Sequence, residues 1–165
     1  LEAGDYDFAA LRTLYAADPN FKGRSQLSDR AIEGLIASQT GTPARVWTED
    51  DVSRAILADF PLLETHHAAH EYFKVSQVPN AAKMVASHKV FYRSILDAIL
   101  ATRRDGPEGP VFSVLTIREE YAVMAALKRE RKNQALVMID GVPHDRLDSD
   151  EGPVFFDISA FFGKK

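Results

Sequence analysis

A chain of 165 residues with 45% hydrophobic and 27% charged content can build one globular domain and shows no sign of wholesale disorder. Its formal charge of -4, with no long block of like charges, makes neither nucleic-acid phosphate nor an anionic membrane an evident partner. The absence of cysteine excludes thiol catalysis, disulfides, iron–sulfur clusters and thiolate zinc sites together; it fits the cytoplasm or another reducing compartment, and no apolar run approaches the ~20 residues of a membrane span.

The opening residues are acidic where a secretory signal would be basic and then apolar, and they begin at Leu1 without Met, so a piece of a longer protein is expected, with a processed product as the alternative. Asp5 or Asp7 can cap a first helix with Phe8, Leu11, Leu14 and Tyr15 on its apolar stripe, ended by Asp18-Pro19. Ser28 can cap a second, with Ile32, Leu35 and Ile36 inward, and Ser38 to Pro43 reads as a loop. Thr48 and Asp51 fit a capping box flanked by a Trp47–Val52 hydrophobic staple, predicting a helix that stops near Phe60 because Pro61 follows.

The next helix, from about Pro61 to Val75, carries the stretch LETHHAAHEYF. Helical geometry divides it: Leu62, Leu63, His66, Ala69, His70 and Phe73 share one face, while Glu64, His67, Glu71 and Lys74 share the other. His67 and Glu71 read as a solvated pair. His66 and His70 lie one turn apart in the apolar stripe, and His88 lies on the stripe of the following helix, which Asn80 can cap and which runs to about Arg104. Three imidazoles so placed are candidate ligands for Zn²⁺ or a similar ion. The reading preferred here is that all three are packing histidines, able to act as a switch below the intrinsic pKa of ~6.5.

From Arg103 to Pro110 the texture changes to RRDGPEGP, which marks 105–110 as a linker between a helical region, 1–104, and a small α/β region, 111–165. Beyond it VFSVL reads as a strand. Thr116 and Glu119 suggest a second capping box, on a helix reaching about Lys132, and ALVMID and PVFFDIS read as two further strands. The expectation is therefore an α+β fold: a mainly helical N-terminal half of about five helices, then a small β-α-β-β sheet unit.

Three further features could carry function. The segment Gly141 to Gly152 holds Asp145, Asp148, Asp150 and Glu151 and reads as a long solvated hairpin loop, with oxygen-ligand cation binding as the alternative; the EF-hand spacing fails. Lys128, Arg129, Arg131 and Lys132 suit the last turn of a helix, where cations meet the dipole. They would also be the contacts of a winged-helix nucleic-acid module, although the chain from Asp105 onward holds eight basic against eleven acidic residues. Finally, Phe155, Phe156, Phe161 and Phe162 crowd the C-terminal end and form a candidate partner-binding segment for another protein or for self-association.

The phosphate loop, the dinucleotide-binding glycine turn, the nucleophile elbow and H-E-x-x-H are all missing, and no cofactor is implied. The function expected from these residues is a non-enzymatic protein–protein interaction domain of a larger protein or assembly. A winged-helix nucleic-acid module and a histidine-centred metal enzyme are the alternatives.

Overall fold

The computed structural model describes residues 6–19, 21, 29 and 48–162, Glu49 by its backbone alone. The expected cap at Asp5, the helix from Ser28, the loop from Ser38 and Trp47 of the staple lie outside these residues. Among them the chain forms five α-helices, most in its first half, and a five-stranded mixed sheet, an α+β architecture. It divides into two compact units, Leu1–Tyr6 with Arg24–Ser94 and Asp7–Gly23 with Ile95–Lys165.

In the first unit, α2 (Glu49–Ala58) begins as its residues dictate. Thr48 accepts from the Asp51 amide at 3.2 Å and Asp51 accepts from the Thr48 amide at 3.1 Å, so two otherwise orphaned donors are satisfied reciprocally. Pro61 cannot donate a helical hydrogen bond, and the chain restarts as α3 (Leu63–Val75). Val52, Ala55 and Ile56 of α2 meet Ala69 and Phe73 of α3 in a small core, joined by Met84 and Val85 of α4 (Ala81–Leu100), whose residues as far as Ser94 belong to this unit. The apolar spacing of α4 is realised, with His88, Phe91, Ile95 and Ile99 all buried. Glu64, expected on the polar face of α3, is buried.

The second unit holds α1 (Phe8–Ala16), capped by Asp7, whose carboxylate accepts from the Ala10 amide at 3.0 Å. Its inward residues are Phe8 and Arg12; Leu14, expected on the stripe, is exposed. The face turns because Arg12 is held by a bidentate pair to Glu119 at 2.6 and 2.8 Å. The expected linker at 105–110 joins β1 (Arg104–Asp105) to β2 (Pro110–Ser113) as a tight hairpin, with the Gly106 amide donating to the Gly109 carbonyl at 2.9 Å. Gly109 lies so close to the Pro153 carbonyl that no Cβ fits there.

After β2 comes α5 (Ile117–Ala126), then β3 (Asn133–Ile139), β4 (Val142–Asp148) and β5 (Val154–Asp157), with a 3₁₀ turn at Ser159–Phe162. Strand order is β1-β2-β5-β4-β3; β2 and β5 are parallel and the other pairs antiparallel. The sheet has two strands more than the expected β-α-β-β unit: β1 before it and β4 between its last two strands. In particular β4 occupies most of the stretch read as a loop from Gly141 to Gly152.

One register row, Phe112, Phe156, Asp145 and Leu136, sets the face on which α5 lies. Phe112, Val154, Phe156 and Leu147 are buried there with Val123 of α5. The opposite face carries Val111 and Phe155, the latter under the Arg146 guanidinium, with Arg104 bonded to Asp157 at 3.1 Å.

Candidate functional site

The two edges of the sheet differ. β1 is two residues long, charged and exposed, the kind of edge that resists pairing. β3 is seven residues long, carries no charge or proline between Asn133 and Ile139, and has no strand on its outer side among the described residues. Leu136 and Met138 are 62% and 63% exposed, and both project on one face of the strand. Within β3 there is no charge, proline or bulge, and no described strand covers this edge.

The turn after β3 determines which backbone groups are open. Asp140 and Gly141 have φ of 50° and 77°, the pair of left-handed residues that a two-residue type I′ hairpin needs. In such a hairpin the flanking residues, Ile139 and Val142, form a hydrogen-bonded pair, and bonded pairs alternate from there: Val137 with His144, then Ala135 with Arg146. The amides and carbonyls of Gln134, Leu136 and Met138 therefore point away from β4, toward the open edge.

Beside this edge lies a polar chain. Arg131 donates to the Tyr121 hydroxyl at 2.9 Å and to Gln134 Oε1 at 3.1 Å, and its guanidinium lies over the Tyr121 ring at 5.1 Å. Gln134 donates in turn to Asp145 at 2.9 Å. Next to Asp145 is Glu120, wholly buried, with neither carboxyl oxygen accepting a hydrogen bond. Burial first, then the Asp145 charge and a hydrogen bond that only the protonated acid can donate to Asp145, push its pKa up to about 8. Glu120 thus holds its proton at neutral pH.

The basic residues 128–132 follow α5 instead of ending it. The helix closes through the Arg129 amide on the Met124 carbonyl at 2.9 Å and the Lys128 amide on Ala125 at 3.0 Å, with Lys128 at φ 56°. This is a Schellman motif with lysine in the position glycine usually takes. Lys132 pairs with Asp150, and Asp148 accepts from Arg146 at 2.8 Å, so three residues of the acidic cluster are spread over a strand and a cation pair. The expected box at Thr116 does not form, because Glu119 is taken by Arg12 and by the Leu115 amide at 2.7 Å.

The three candidate histidines meet in the helical unit. His66 Nε2–H donates to the Phe60 carbonyl at 2.7 Å, which leaves Nδ1 bare to accept from His88 Nδ1–H at 2.9 Å. His88 Nε2 is then a buried acceptor without a partner, stacked with its ring on Phe73. His70 Nδ1–H donates to the Val85 carbonyl at 3.2 Å, turning Nε2 to within 3.7 Å of Glu71. Burial lowers the pKa of both His66 and His88 to about 4, with His88 itself opposing charge on His66 and His70 opposing charge on His88. A cleft of about 260 Å³ opens beside them, lined also by Lys89 and Tyr92. No group of three or more His, Cys, Asp or Glu among the described residues could hold a metal ion. Glu71 pairs with Lys74 at 3.0 Å; His67, expected as its partner, is exposed near Tyr92.

Of the four C-terminal phenylalanines, Phe155 and Phe156 are buried on opposite faces of the central strand β5; Phe161 is half-buried and Phe162 is 61% exposed. They do not form one surface. A larger cleft, about 660 Å³, lies at the carboxyl ends of the parallel strands β2 and β5, lined by Arg12, Thr13, Thr102, Ser113 and Asp157. Its polar groups largely serve one another: Thr102 donates to the Ile99 carbonyl and accepts from the Ser113 amide, and Asp157 accepts from Arg104 and Ser159. No helix among the described residues is long and apolar enough to cross a membrane.

Comparison of the chain with protein-family models, with curated proteins and with solved structures finds no match.

Proposed function

We propose that the chain is a non-enzymatic protein–protein interaction domain of a larger protein or assembly, and that its recognition element is the outer edge of β3. The observation that carries this reading is the contrast between the two sheet edges, one short and charged, the other long, uncharged and flanked by exposed Leu136 and Met138. An extended segment added to β3 would satisfy the main-chain groups of Gln134, Leu136 and Met138 and cover both apolar side chains. The nucleic-acid and metal-enzyme alternatives have less behind them: Arg131 is engaged by Tyr121 and Gln134, and the three histidines bond to carbonyls and to each other.

Photo-crosslinking tests this in the cell that makes the protein. A benzophenone amino acid at Met138 should give adducts with protein, whereas the same group at exposed Lys89, on α4, should not. Equal yields at the two positions would remove the reading.

A further inference from the structure

We infer that the occupant of the β3 edge is a second copy of this chain, added antiparallel about a two-fold axis through Leu136; this rests on the reading of β3 as the recognition edge. A two-fold interface pairs each residue with its symmetry counterpart, so two copies of one strand must run antiparallel. Only a register centred on Leu136 matches all three outward-facing residues with outward-facing residues. Leu136 then faces itself, and Gln134 faces Met138 of the second copy. Each of the three supplies one amide and one carbonyl, so the pair of strands closes about six hydrogen bonds.

The same register makes a charge match that the single chain does not use. It sets Lys132 at one end of β3 opposite Asp140 of the second copy, and Asp140 opposite Lys132 of the second copy, both side chains being exposed. Among the described residues Lys132 pairs with Asp150, whose side chain is 73% exposed, so changing partner costs little. The uncharged span of β3 thus ends in a cation on one side and an anion on the other, which suits antiparallel self-addition and opposes the parallel arrangement, in which like charges would meet. Leu136 and Met138 from both copies come to lie side by side on one face, so four exposed apolar side chains cover one another. The opposite edge offers no such match, being only Arg104–Asp105.

Sedimentation equilibrium of the full chain tests this directly. The wild type should be dimeric at ~100 µM, with a Kd on the order of 10 µM, as suits a contact smaller than a standard interface. Leu136→Lys places two ammonium groups face to face on the axis and should raise Kd by about tenfold or more. Asp140→Asn keeps a residue tolerant of the left-handed turn, removes both end pairs and should raise Kd by about threefold, less so at high salt. Asp105→Lys, on the other edge, should leave Kd unchanged. A wild type monomeric at ~100 µM would overturn the inference, as would a dimer indifferent to both β3 variants; should Leu136→Lys fail to fold, Asp140→Asn decides. A monomer that still crosslinks through Met138 to another protein removes the second copy and leaves the interaction reading standing.

Discussion

Glu119 and Glu120 are adjacent, and both are fully buried, yet only Glu119 is matched by a cation, the Arg12 guanidinium. Glu120 meets Asp145 instead and keeps its proton, with a pKa near 8 in the folded chain against about 4.5 when exposed. A folded-state pKa above the unfolded value means that its contribution is fully present below pH ~4.5 and declines as pH rises to about 8. Glu120→Gln keeps the shape without the titration. Its stability relative to wild type, measured by urea unfolding at a series of pH values, should improve by on the order of 1 kcal/mol per pH unit across that window and level off above it. A pH-independent difference would show that Glu120 does not titrate in this range. His66 and His88 act in the other direction: pKa values lowered to about 4 leave the helical unit unaffected above pH ~6.5 and weaken it as pH falls from there.

Among elements, α5 ends on a strained residue. Lys128 at φ 56° sits where a side chain costs about 1 kcal/mol, part of which glycine gives back through its own backbone freedom. Lys128→Gly should therefore raise stability by about 0.5 kcal/mol, read as a higher urea midpoint at unchanged slope. A lower midpoint would show that the lysine stem packs usefully. That stop was not legible beforehand, since KRERK suits a helix end by charge and nothing in it resembles a glycine cap. Helix starts were easier: the Thr48–Asp51 box is local chemistry, complete within four residues, and it forms. Thr116–Glu119 has the same spacing and fails, because Arg12, more than a hundred residues away in sequence, claims the glutamate. The largest miss was β4. Pro143, His144, Asp145, Arg146 and Asp148 hid it as a loop, yet Asp140-Gly141 was a two-residue hairpin signal in plain view. Those polar residues are tolerated because each has a partner on the sheet: His144 with Arg104, Asp145 with Gln134, Arg146 with Asp148. Without β4, the strand β3 could not be recognised as an edge; of the four phenylalanines read as a candidate partner-binding segment, Phe155 and Phe156 fill the centre of the sheet.

At the scale of the whole molecule, the proposed function rests on which main-chain groups the sheet leaves open. The hairpin parity makes this testable amide by amide. Hydrogen exchange followed by NMR as a function of chain concentration separates the two sets on β3. The amides of Ala135, Val137 and Ile139, bonded to β4, should be protected at every concentration. Those of Gln134, Leu136 and Met138 should exchange fast in dilute protein and gain protection of about tenfold as the chain passes ~10 µM and pairs. Fast exchange of Gln134, Leu136 and Met138 at all concentrations, or the same protection for all six amides in dilute protein, would contradict an open edge that closes on a second strand.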